Sequence, residues 1–143
     1  CPIELLVVSN SEEKFRDLIS TATFPTLYTA WHPFQVFRDI ESADLCVLPN
    51  ARDCLTLAKS AGRIVMALGL GVPVAATMVS SLETLHPGLF DGVTEESVTR
   101  ALTDEAECRR RLEIGKRIVE GTFSGEAVAE RWDALLTETT KDA

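Results

Sequence analysis

The sequence predicts an α/β protein built on a single doubly wound parallel sheet with helices following toward the C-terminus. Three observations predict it: short apolar runs that end in polar turns, amphipathic helical patterns between those runs, and a length of 143 residues of which 45% are hydrophobic. A chain of that size buries one substantial core and is too short for two, so residues 1–143 are expected to form one domain. Buried strands alternating with helices imply parallel strands joined by right-handed crossovers, with helices on both faces. In such sheets ligands bind at the carboxyl ends of the strands.

Ile3 to Val8 is a short apolar run rich in β-branched residues and followed by Ser9, Asn10 and Ser11, so it reads as a buried strand ending in a polar turn. Ser11 can cap the next helix, whose Phe15, Leu18 and Ile19 recur at spacings of three and four and form one apolar face. Pro25 separates that helix from a second strand, Leu27 to Trp31, which leaves through His32 and Pro33. Phe34, Val36, Phe37 and Ile40 then mark a short amphipathic helix. Leu45 to Leu48 is an apolar strand stopped by Pro49 and Asn50, and Val72 to Ala76 is another, entered through Gly71. A helix of about Ser60 to Leu70 lies between them.

After Phe90 the pattern changes to helices. Thr94 opens one with Val98, Ala101 and Leu102, and a longer one carries Cys108, Leu112, Gly115 and Val119 on one stripe. Ser124 caps a last helix in which Val128, Trp132, Leu135 and Leu136 follow the helical period. Trp132 is expected there as a packing anchor.

A net charge of −8 and a pI near 4.7 argue against nucleic acid or an anionic membrane as bulk partner. The longest apolar stretch, Ile64 to Ala76, is interrupted by Gly69, Gly71 and Pro73 and is shorter than the roughly 20 residues a bilayer requires, so no transmembrane segment is expected. Cys1, Cys46, Cys54 and Cys108 show no CxxC spacing and no secretory signal precedes them, which predicts reduced thiols and a cytoplasmic location. The chain lacks an initiator Met, and Pro2 leads almost directly into a strand, so a longer parent protein is expected.

Chemistry concentrates between Ala43 and Thr77, which contains two strand exits and a helix start. Lys59 and Arg63, four residues apart, share one face of the helix's first turn, with Ser60 available as a cap or hydroxyl donor. Cations there oppose the helix macrodipole, by a few tenths to about 1 kcal/mol, unless an anion binds between them and the free backbone amides. A diphosphate suits this arrangement: Arg63 can chelate it bidentately, Lys59 supplies a point charge, and Gly62 leaves room for approach. The same residues also read as cations on a solvated helix face.

The stretch resembles the donor-binding segment of nucleotide-sugar-dependent glycosyltransferases with two Rossmann-like domains, the GT-B architecture. The family's C-terminal domain reads as ADxxxLPS, then KSxNRxxEALAxGxPVVAT, then FSxExxAxxW. Here the corresponding residues are ADLCVLPN at Ala43 to Asn50, KSAGRIVMALGLGVPVAAT at Lys59 to Thr77 and FSGEAVAERW at Phe123 to Trp132. The resemblance covers about the last 100 residues with spacing intact. It implies a nucleotide-diphosphate sugar as substrate, no cofactor, an acceptor of unspecified kind, and an N-terminal domain of the same parent chain as partner. Lys59, Ser60, Gly62 and Arg63 fall at the diphosphate, with Asn50, Met66, Ser80, Ser81 and Glu83 near the nucleotide or sugar.

The departures are Met66, where the family commonly carries a ribose-binding acid, Ala58 at the earlier acid of its E-x7-E pattern, and Gly62 in place of Asn. They leave open a degenerate, non-catalytic module of the same fold. Ser80 and Ser81 also read as a helix N-cap. His32 reads as a turn residue before Pro33, and His86, before Pro87, has no identifiable partner. Asp44 and Asp53 lack the surroundings of a metal loop, so no metal site is expected. Cys46 and Cys108 occupy apolar positions and read as packing residues rather than nucleophiles. A receiver-like domain shares the alternating pattern but needs acidic residues where Ser9 and Asn10 stand.

Overall fold

A computed structural model of the chain describes residues 2–50 and 60–141. The architecture is α/β, with small parallel sheets and several helices, and it divides into two compact units, Cys1–Ser42 and Ala43–Ala143.

In the first unit, β1 (Leu5–Ser9) and β2 (Thr26–Ala30) pair in parallel, with Leu6 opposite Leu27 and Val8 opposite Thr29. The crossover between them is α1 (Glu12–Ile19), whose N-cap Ser11 accepts from the Lys14 amide as its sequence position implies. Phe15 of α1 is buried and meets Tyr28 of β2 with ring centroids 5.1 Å apart. The Tyr28 hydroxyl in turn donates to the Ser9 carbonyl at 2.8 Å, so one aromatic pair ties helix and both strands together. α2 (Gln35–Glu41) forms where the periodicity places it, but none of its residues is buried and Phe34, its N-cap, is 80% exposed. The periodicity foresaw the helix but not a covered face.

In the second unit, β3 (Cys46–Leu48), β4 (Val74–Ala76) and β5 (Phe90–Asp91) form one parallel sheet in that order. The central strand β4 is buried along its whole length, flanked by Cys46 to Leu48 on one side and Phe90 and Asp91 on the other. A central strand buried on both faces needs side chains that are apolar throughout, which Val74, Ala75 and Ala76 supply. The helix α3 (Gly62–Gly69) feeds it through a tight turn. There the Gly71 amide reaches the Leu68 carbonyl at 3.1 Å and the Val72 amide reaches that of Ala67 at 2.9 Å, the paired bonds of a Schellman stop. Gly71 has φ of 86°, a left-handed conformation that only glycine adopts without penalty.

Between β4 and β5 the chain forms a 3-10 helix, Ser80–Gly88; the cap reading of Ser80 and Ser81 expected a helix here, but not its 3-10 type or its extent. Its geometry follows from burial at a spacing of three: Leu82, Leu85 and Gly88 are all buried, and Val79 before them continues the row. Three residues per turn aligns that row on one face, whereas an α-helix would rotate it away. The row packs against α5 (Glu105–Phe123), where a Cβ on Gly88 would stand 2.5 Å from the Gly115 Cα. Gly115 is itself confined, since a Cβ there would meet Leu68 Cδ2 at 2.8 Å. β5 was also not expected, because two residues carry no periodicity.

The remaining helices are capped by side chains. Thr94 and Ser97 form a capping box at α4 (Glu95–Thr103), Asp104 accepts from the Glu107 amide at α5, and Ser124 Oγ accepts from the Ala127 amide at the start of α6 (Gly125–Lys141). Trp132 is not the packing anchor the period suggested: it is 63% exposed, and residues 128–138 are all exposed beyond a half-buried Ala127. Glu107 joins α4, α5 and β5. It accepts from Arg111 Nε at 2.8 Å and from Arg100 Nη2 at 3.3 Å, with Arg100 Nε 3.0 Å away as an ion pair, while the Arg111 guanidinium lies 5.0 Å from the Phe90 ring centroid and donates to the Leu89 carbonyl. The Arg111 hydrogen bond holds the Glu107 carboxyl below its ordinary range, against a smaller desolvation effect, with the charges of Arg111 and Arg100 adding to it. Among the described residues no helix is long and apolar enough to cross a membrane.

Gly88→Ala drives a methyl group into backbone and should lower unfolding stability by about 3 kcal/mol in urea denaturation, with Gly71→Ala losing about 1 kcal/mol through its left-handed φ. Because the Glu107 pKa is lowered on folding, its stabilisation is present above the ordinary carboxylate pKa and is lost as pH falls through the lowered value. Glu107→Gln should therefore melt below the unmodified protein at neutral pH, and the gap should close in acid; a gap of constant size would contradict the ion-pair origin.

Candidate functional site

The carboxyl ends of β3 and β4 open onto the N-terminus of α3 and the first turn of the 3-10 helix, all within the second unit. α3 begins at Gly62 with Ala61 as its N-cap, so Ser60 stands one residue outside the cap position the sequence offered it, and no side chain caps the helix. The amides of Ile64 and Val65 both turn back to the Ala61 carbonyl, leaving those of Gly62 and Arg63 without an acceptor among the described residues. The first turn also contains no acid, in contrast to α1, α4, α5 and α6. The positive end of this helix is therefore uncompensated from within.

In front of it lies a notch with an apolar floor of Leu48, Ile64, Val79 and Leu82. Its polar rim is Asn50, Ser60, Arg63 and Ser81, and none of its lining residues among those described is acidic. Arg63 is exposed and makes no ion pair among the described residues. A guanidinium, two hydroxyls and the first amides of a helix on one concavity can donate to an anionic oxygen. The cavity is about 20 Å³, which by itself admits one water-sized group rather than a nucleotide.

Of the residues proposed from the sequence, Asn50, Ser60, Arg63 and Ser81 are thus brought together. Gly62 adjoins them as the first residue of α3, where an added Cβ would meet only Ser60 Oγ, at an ordinary 3.6 Å. Met66 is half-buried farther along α3, and Ser80 and Glu83 are exposed on the 3-10 helix; these three do not line the notch. The N-cap of that helix is Val79, so neither Ser80 nor Ser81 caps it. Lys59 lies outside the described residues, as do Ala58, Asp53, Cys1 and Cys54.

Sequence reasoning missed Thr77, whose carbonyl accepts from Asn50 Nδ2 at 3.0 Å, and the lining residues Val79 and Leu82. The spacing of three from Val79 through Gly88 was the available signal. His86, read as partnerless, has its Nε2 3.9 Å from an Asp91 carboxylate oxygen, with both side chains largely exposed. His32 acts within its turn, its Nδ1 accepting from the Phe34 amide at 3.3 Å. Among the described residues no cluster of three or more His, Cys, Asp or Glu side chains could hold a metal ion.

Cys46 and Cys108 are half-buried, as apolar packing positions should be. Burial pushes the Cys46 thiol above its ordinary pKa, partly countered by the charge of Arg63. Burial and then the nearby Asp104 and Glu105 push Cys108 in the same direction. Both shifts favour the neutral thiol, the less nucleophilic form.

No known protein family, curated protein or solved structure matches this chain.

Alkylation followed peptide by peptide should find Cys46 and Cys108 slow near neutral pH and faster only as pH rises. Since Arg63 lowers the Cys46 pKa, Arg63→Ala should move the onset of Cys46 alkylation to still higher pH and leave that of Cys108 in place. Equal shifts at both cysteines would show that Arg63 does not act on Cys46 through its charge.

Proposed function

We propose that this chain is the donor-binding, C-terminal half of a two-domain glycosyltransferase, taking a nucleotide-diphosphate sugar and passing its sugar to an acceptor. On this reading residues 1–143 form one Rossmann-like domain whose two parallel sheets belong to a single doubly wound sheet. The domain works in the cytoplasm beside an N-terminal domain that supplies the acceptor side. The observation that carries it is the convergence of Arg63, Ser60, Ser81 and Asn50 on an uncapped helix end with no acid among the described lining residues. Negative charge grows on the leaving diphosphate as the glycosidic bond breaks. Arg63 and the α3 amides are suited to hold that charge more strongly in the transition state than in the bound donor. Lys59, four residues before Arg63, would add a second cation.

A second reading, a glycosyltransferase-like module that binds partners without catalysis, is favoured by the small cavity and by Met66 at the position of the ribose-binding acid.

Calorimetric titration with UDP and GDP at low salt separates the two. The donor-domain reading expects binding that Arg63→Ala weakens about 10- to 100-fold, the range for a charge-assisted hydrogen bond, and that a Lys59→Ala, Arg63→Ala double variant abolishes. Met66→Glu should then strengthen UDP binding by restoring a ribose acceptor. An unmodified chain that binds neither nucleotide would support the non-catalytic module instead.

A further inference from the structure

We propose that Asn50 is a positioning residue of the notch, a clamp that sets the spacing between its two lips; the proposal rests on reading the notch as an anion site. β3 ends at Leu48 and β4 at Ala76, yet the Thr77 amide still donates to the Leu48 carbonyl at 3.2 Å. Beyond it, Asn50 Nδ2 donates to the Thr77 carbonyl at 3.0 Å, across 27 residues of sequence. A side-chain amide thereby adds one more rung to the ladder after the backbone of β3 has left it.

That extra rung falls where the two lips diverge. From Asn50 the chain leads on to Ser60 and Arg63, and from Thr77 it leads to Val79 and Ser81. Holding the Thr77 carbonyl fixes the start of the 3-10 helix against β3, and with it the place of Ser81. The task requires a donor on a short arm, which Asn has and Asp lacks, because a carboxylate would set acceptor against acceptor. It would also bring a negative charge to a rim whose charged member is Arg63. One of the two Asn50 Nδ2 hydrogens is committed to Thr77, and through that bond the residue serves an anion by holding Ser81 in place.

The test uses inorganic pyrophosphate as probe, titrated calorimetrically at low salt, and amide hydrogen exchange on the ligand-free protein. It compares the unmodified chain with Asn50→Ala, Asn50→Asp and Arg63→Ala. Both Asn50 variants should speed exchange at the amides of Thr77 and Leu82 by about tenfold while leaving Gly115 in α5 unchanged, and Asn50→Ala should weaken pyrophosphate about three- to tenfold. Weaker binding with unaltered Thr77 exchange would mean that Asn50 touches the anion directly and would overturn the clamp. Faster exchange with unaltered affinity would overturn its service to the site. If Arg63→Ala leaves pyrophosphate binding intact, the anion reading itself fails, while the exchange measurements still decide whether Asn50 holds Thr77.

Discussion

The close approach of the 3-10 helix to α5 is the constraint on which the second unit depends. Backbone meets backbone at Gly88 and Gly115, and Leu68 of α3 closes on the same glycine from the other side. Interiors are packed near crystal density, so a contact without room for a methyl group sets the position of every element that shares it. Three elements distant in sequence meet there, and the sheet is held in turn: Leu85 and Leu89 are fully buried, and Phe90 follows directly in β5 beneath the Arg111 guanidinium. The lip of the notch formed by Val79 and Ser81 is the far end of the same rigid row.

The notch is consequently a product of packing as much as of its own polar residues. α3 is stopped by the turn at Gly71 and pinned by Leu68, which leaves its N-terminal end, with no side-chain cap among the described residues, at the strand exits. At α1, α4, α5 and α6, though not at α2, the protein caps its helices with Ser11, Thr94, Asp104 and Ser124 and places acids in the first turn. Here it does neither, and a cation occupies the second helical position of an otherwise acidic chain. Sequence positions that decline an available stabilisation are where functional demands are expected to show.

Most of the secondary structure was legible because its signals are local. β1 to β4 are apolar runs bounded by turn residues, and Ser11, Thr94 and Ser124 cap the helices they precede. The 3-10 type and extent of the helix after Val79, and β5, were not, since a burial period of three falls between the helical and strand periods and a two-residue strand has no period at all. Trp132 shows the converse failure: a helical stripe records which residues share a face, but not whether anything covers it. At the site, Arg63 and Ser60 could be found from their spacing and context, whereas Ser81 was named from the family resemblance alone. Thr77 could not, because it takes part through a backbone carbonyl, which every residue possesses.

The brevity of β5 has a consequence for how the protein keeps to itself. In the order β3, β4, β5 it is a terminal strand, and a terminal strand normally offers a row of unpaired amides and carbonyls to any extended chain that drifts past. Two residues, one of them the exposed Asp91, offer too few rungs and an unfavourable charge for such templating. Gly92 then bends the chain away with φ of 82°, so this margin of the sheet ends before a neighbouring molecule could extend it toward aggregation.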